Sequence, residues 1–160
     1  MKLKSLFLTA ALLSVSGAAS AGFVSKADYY KYNYYNHVVM FGGIGSEVGL
    51  CKDQNGLFGT FYRNAEICHV GWHSKSYVAP DYHVLVEDGK KYFRTLDLIR
   101  GVQLFSAGHS ACSPNSPKLD GSRVIMGYYV KDHGKCYYPM GSRQYSAPVG
   151  GFTHVVYSYR

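Results

Sequence analysis

Cys68-His69-Val70-Gly71-Trp72-His73-Ser74-Lys75-Ser76-Tyr77-Val78-Ala79-Pro80 fits the pattern C-x5-S-(K/R)-x-Y-x-A-P, and Cys136-Tyr137-Tyr138-Pro139-Met140-Gly141-Ser142-Arg143-Gln144-Tyr145-Ser146-Ala147-Pro148 fits it again without a gap. The flanks keep the same order. Tyr82-His83-Val84-Leu85 follows the first block and Thr153-His154-Val155-Val156 the second; Val39-Met40-Phe41 precedes Cys51 as Gln103-Leu104-Phe105 precedes Cys112. A chance match would not carry its neighbours with it, so the chain reads as a duplication, with repeats at about 33–97 and 98–160. Each repeat holds two Cys, 17 positions apart in the first and 24 in the second. Four Cys allow three pairings. The repeat selects Cys51 with Cys68 and Cys112 with Cys136, so that each half closes its own loop, with a stabilisation of about 3 kcal/mol for each.

Outward from these blocks the local signals favour strands. Residues 37–41, 58–63, 67–72, 82–86, 102–106, 123–130 and 152–159 are short runs rich in β-branched and aromatic side chains, mostly bounded by Gly, Pro, Asn or Asp. Asn55-Gly56, Asp88-Gly89 and Asp120-Gly121 supply the positive φ angles of tight turns, and Asp88-Gly89 reads as the clearest hairpin. No long stretch carries helical apolar spacing, although residues 95–100 suit a single turn. The expected fold is all-β: antiparallel strands in two repeats related by a pseudo-twofold axis, stabilised by disulfides, in one domain over residues 22–160.

The front of the chain has the features of an export signal. Lys2 and Lys4 precede an apolar run from Leu6 to Val15, and Ala19-Ser20-Ala21 offers a small-x-small cleavage site before Gly22. The expected location is therefore secreted or periplasmic, an oxidising setting in which disulfides persist. No later stretch is apolar for long enough to predict a transmembrane segment. The full chain of 160 residues has a formal charge of +7, and two of its positive charges lie in the signal. That excess is modest and scattered, which argues against a nucleic-acid partner. The Cys spacing lacks the close pairs of structural zinc sites, and a thiol that must stay reduced is poorly placed in an exported protein.

Cys51-Lys52-Asp53 with Asn55-Gly56, then Val70-Gly71-Trp72, then Tyr82-His83-Val84-Leu85-Val86 resemble the DM-nine repeat, a tandem motif of small secreted lectin-like proteins and natterin-type toxins. The resemblance covers residues 45–160 and implies two repeats with a sugar-binding role. Family members that bind mannose-type sugars do so through an Asp and the Lys of a Pro-Gly-Lys segment. Asp53 is the residue the resemblance carries over; Phe58-Gly59-Thr60 stands where the family has Pro-Gly-Lys, so the Lys has no counterpart.

Sugar recognition calls for flat aromatic faces together with planar or cationic groups for the hydroxyls. Trp72, Lys75 and Tyr77 in the first repeat, with Arg143 and Tyr145 in the second, supply these if they face one groove, and Asp53 joins them. Lys75 and Arg143 occupy equivalent positions, so together they suit an acidic cell-surface ligand, Arg143 through its bidentate fork. Buried Trp and Tyr side chains and solvated cations would explain the same residues without a ligand. Tyr29-Tyr30-Lys31-Tyr32-Asn33-Tyr34-Tyr35 reads as an edge strand or as a binding surface. His83 and His154 recur in the two repeats and could serve as acid and base, but satisfied structural His residues are the simpler reading. No catalytic, metal or cofactor motif is present. The sequence thus points to an exported carbohydrate-binding protein without enzymatic chemistry that recognises a surface or envelope glycan. The alternative is a secreted protein-binding factor (an inhibitor, toxin subunit or adhesion component) whose partner docks on the Tyr-rich surface.

Overall fold

The computed structural model describes residues 22–42, 47–115 and 124–159. The expected signal at 1–21, the Asp120-Gly121 turn and Arg123 lie outside the described residues. The first half comprises β1 (Phe23–Ser25), α1 (Lys26–Lys31), a 3₁₀ turn (Tyr34–His37), β2 (Met40–Phe41), β3 (Val48–Asp53), β4 (Phe58–Tyr62), β5 (Ile67–Trp72), β6 (Lys75–Val78) and β7 (Tyr82–Leu85). The second comprises β8 (Lys90–Thr95), β9 (Val102–Gln103), β10 (Phe105–Ser106), β11 (His109–Pro114), β12 (Gly127–Val130), β13 (Lys135–Met140), β14 (Arg143–Pro148) and β15 (Phe152–Tyr159), with 3₁₀ turns at Leu98–Arg100 and Lys131–His133. The fold is antiparallel all-β, as the sequence indicates, and forms one curled sheet ordered β1-β7-β3-β4-β5-β6-β14-β13-β12-β11-β15-β8.

In the first half β3 to β6 form a meander and β7 returns to pair with β3. In the second, β11 to β14 form a meander and β15 returns to β11. The disulfides join Cys51 to Cys68 and Cys112 to Cys136, the pairing expected above. Each therefore bridges the first and third strands of its meander, over the strand between them. A flat sheet would hold such strands roughly 10 Å apart, yet their Cα atoms are 5.9 and 6.0 Å apart. The sheet must curl sharply there, and Gly lets it do so. Gly59 lies opposite Cys51 and Gly127 opposite Cys112. A Cβ on Gly59 would fall 2.2 Å from the His69 carbonyl oxygen, and one on Gly127 would fall 2.0 Å from that of Tyr137.

The curl encloses Leu50, Phe58, Phe61, Val70, Val84 and Val155, all fully buried. Burying each such side chain contributes about 2 kcal/mol. The buried Thr60 hydroxyl ties the halves together, accepting from Met126 N at 2.9 Å and donating to Met126 O at 3.2 Å. Both polar partners are thereby satisfied within the core.

Two expectations are corrected. The Tyr-rich segment is not an edge strand: it forms α1 and the 3₁₀ turn that follows. Ser25 caps α1 by accepting from Asp28 N at 3.1 Å, and its hydroxyl donates to the Asp28 carboxylate at 2.9 Å. The helix buries Tyr29 against Phe61, with ring centroids 5.7 Å apart, and leaves Tyr30 and Tyr32 exposed. Asp88-Gly89 is not a hairpin either, because β7 pairs with β1 and β3 whereas β8 runs along β15 for six residue pairs. Asp88 instead anchors a crossover, accepting from Lys90 N at 3.1 Å and the Tyr92 hydroxyl at 2.8 Å and pairing with Lys90 Nζ at 3.1 Å. Residues 90–95, assigned from sequence to the first repeat, are thus paired within the second half.

Three runs are also clearly shorter than expected. Of the described part of 123–130, only Gly127–Val130 is strand. In 37–41 only Met40–Phe41 is strand, and 102–106 splits between β9, which pairs with β15, and β10, which pairs with β11. Residues 95–100 make the single turn expected of them, with Asp97 Oδ1 accepting from Ile99 N at 2.8 Å.

Candidate functional site

Asp53 ends β3 and organises the turn that follows it. Its Oδ1 accepts from Leu57 N at 2.9 Å, its Oδ2 accepts from Asn55 Nδ2 at 3.2 Å, and its own N–H donates to Leu57 O at 3.0 Å. The Tyr77 hydroxyl, from β6, donates to the same Oδ2 at 2.5 Å. Burial pushes the Tyr77 phenol well above its ordinary pKa, and the bond to the Asp53 carboxylate pushes it further. Asp53 is itself only 3% exposed. It therefore acts through Asn55 and Tyr77, which it orients.

Trp72 closes β5 beside a two-residue turn in which His73 and Ser74 take φ values of +47° and +66°. Positive φ at both central residues matches the twist of a hairpin. The turn sets Trp72 opposite Lys75. The indole is 44% exposed, and the His73 ring lies 4.3 Å from it, centroid to centroid.

Between these parts lies an open pocket of ≈ 400 Å³ lined by Asn55, Leu57, Trp72, Tyr77, Ala107 and His109. The first four come from the first half of the chain; Ala107 and His109 come from the β10–β11 turn and the start of β11. The His109 ring packs 5.4 Å from Tyr128, which sits 6.4 Å from Trp72. Gln144 Nε2 donates to the Tyr128 hydroxyl at 2.6 Å, and burial pushes that phenol's pKa up to about 12. His109 Nδ1 is buried and has no hydrogen-bond partner among the described residues. The pocket thus presents a flat indole, a phenol ring and a primary amide, with an imidazole at its wall.

Of the six ligand candidates read from the sequence, Trp72 and Tyr77 line this pocket and Asp53 supports it. Lys75, Arg143 and Tyr145 lie outside its lining, but the register relates them to it. Lys75 is opposite Trp72 on one side and opposite Arg143 on the other. Opposed residues share a face, as do residues two apart on a strand, so Trp72, Lys75, Tyr77, Arg143 and Tyr145 all belong to one face of the sheet. Asn55, His109 and Tyr128 were not singled out from sequence. Asn55 was visible only as a turn residue, and nothing local links residues 107–109 to a turn about a third of the chain away.

The recurring His residues are on strands of different halves. His154 Nδ1 is 3.2 Å from Gln103 Nε2, and burial lowers its pKa. His83 Nδ1 is buried and has no hydrogen-bond partner among the described residues. Among the described residues no group of three or more His, Cys, Asp or Glu is arranged to hold a metal ion, and no helix is long and apolar enough to cross a membrane. The chain matches no protein-family model and no curated protein sequence.

Proposed function

We propose that this is an exported, lectin-like carbohydrate-binding protein that recognises surface or envelope glycans, and that the pocket of Trp72, Tyr77, Asn55 and His109 receives the sugar. The observation that carries the reading is the exposed indole at the edge of a ≈ 400 Å³ pocket that also presents an amide and a half-buried phenol bonded to a buried carboxylate. A pyranose ring offers an apolar face to stack on Trp72 and equatorial hydroxyls for Asn55. Stacking of this kind adds about 1 kcal/mol beyond the area it buries. The Asp53 network holds the polar groups in place before the ligand arrives, which lowers the ordering cost of binding. The two disulfides and the signal-like residues 1–21 support an exported location, and the DM-nine resemblance supports the same class of ligand.

The test is a glycan array probed with the oxidised protein starting at Gly22, alongside Trp72→Ala. Saturable binding to a defined glycan that the variant loses is the expected result. Silence across the array, from protein with no free thiol, would overturn the reading. A protein-binding role would then be favoured by the exposed apolar side chains of Leu96, Leu98, Ile99, Val102 and Phe105. Pull-downs with an Ile99→Asp control would address it.

A further inference from the structure

The two halves of the sheet meet where β6 pairs with β14, and the bridging residue pair is Lys75 with Arg143. Like charges directly opposite each other in a sheet destabilise it. Both side chains are exposed, and neither forms an ion pair among the described residues. The backbone under them is held firmly. Ser76 N donates to Ser142 O and Gln144 N donates to Ser74 O, both at 3.2 Å. The Ser76 hydroxyl donates to Gly141 O at 2.6 Å, and Ser74 N donates to Gln144 Oε1 at 3.1 Å. Two hairpin ends are thereby interlocked, and the two cations cannot separate by sliding the strands. Trp72 flanks the pair on the Lys75 side, and Tyr145 stands two residues beyond Arg143 on the same face.

We propose that Lys75 and Arg143 form an anion subsite beside the sugar pocket, which selects glycans carrying a carboxylate or phosphate next to the residue stacked on Trp72. This deepens, and rests on, the carbohydrate reading above. An anion between the two cations removes the repulsion built into the seam, and Arg143 can offer two parallel N–H donors to planar or tetrahedral oxygens. Binding of the anion and relief of the cross-strand repulsion then act in the same direction. A neutral glycan uses the pocket alone.

The experiment compares matched acid and neutral probes by calorimetric titration: trigalacturonate against its methyl ester, and a hexose 6-phosphate against the free hexose. The subsite predicts that at least one acid binds about tenfold tighter than its neutral partner, the scale of one charged hydrogen bond. That ratio should fall toward one in Lys75→Gln/Arg143→Gln and, for the wild type, as salt is raised. The arm that shows the preference identifies whether carboxylate or phosphate is the anion. Equal binding of acid and neutral probes, or a preference that survives in the double variant, would overturn the subsite while leaving the pocket reading intact. Failure of all four probes to bind would overturn the subsite whatever the array shows, and failure of the array as well would remove the pocket reading too.

Discussion

The first and second halves of the chain share a framework but not a site. In each, a meander closes by the return of a later strand to the first one, and a disulfide crosses over a middle strand with Gly opposite the first Cys. Beyond the disulfide they diverge. Asp53, two residues after Cys51, collects the Tyr77 hydroxyl and the following turn, whereas Pro114, two residues after Cys112, has no side chain to do so. Tyr145, which matches Tyr77 in the repeated block, stacks on Tyr138 with centroids 6.1 Å apart and is 38% exposed. Scaffold residues are constrained by strand order and by the strand the disulfide crosses, which correspond in the two halves. In the pocket, Asn55 and Tyr77 are held by the Asp53 carboxylate, and Pro114 offers no carboxylate at the matching position.

The sharpest way to break this comparison is to add a methyl group where both halves forbid one. Gly59→Ala and Gly127→Ala should each cost about 3 kcal/mol or more, because the new Cβ meets a backbone carbonyl that cannot move away. Urea unfolding of the oxidised proteins measures this, and tolerance of one substitution but not the other would show that the halves curl for different reasons. Removing the disulfides singly, as Cys51→Ser/Cys68→Ser and Cys112→Ser/Cys136→Ser, should cost about 3 kcal/mol each. The longer second loop should be worth only about 0.3 kcal/mol more. A cost confined to one half would break the parallel.

A smaller effect should separate the halves. Tyr77→Phe leaves the buried Asp53 oxygen short of a donor and should destabilise by about 1 to 2 kcal/mol. Tyr145→Phe removes an exposed hydroxyl and should stay within about 0.5 kcal/mol. Equal costs would mean that the Asp53 network is not what distinguishes the first half.

The smallest effect is one of pH. Burial lowers the pKa of His69 in the first half and His154 in the second below the ordinary 6.5. The unfolded chain then binds more protons than the folded one in the window below that value, so stability is full above it and declines as pH falls through it. Thermal unfolding at pH 7.5 and pH 5 should show the loss, and His69→Gln and His154→Gln should each reduce it. A stability that rises on acidification would contradict the assignment.

Most of the framework was legible in the sequence because its causes are local or repeated. The recurrent Cys blocks fix the disulfide pairing, and β-branched and aromatic runs mark β4, β5, β7 and β15. What was missed depends on partners distant in the chain. The Asp88-Gly89 dipeptide has the composition of a hairpin, but β8 gains more by running the length of β15. The helix at Lys26–Lys31 had a local signal, the Ser25 and Asp28 spacing of a capping pair, and the dense Tyr run concealed it. Trp72 and Tyr77 stood out as candidates by type and spacing, and both line the pocket. Asn55, His109 and Tyr128 did not stand out, since the curl of the sheet, rather than any motif, brings the β10–β11 turn against residues 55–57.

Trp72 is the single Trp in the chain and stands at the edge of the pocket, so its fluorescence reports on the site directly. Titrating the oxidised protein with a glycan that binds on the array should give a saturable change in Trp72 emission, with a midpoint equal to the affinity measured by calorimetry. A glycan that binds by calorimetry yet leaves the emission unchanged would place the sugar elsewhere and contradict the account.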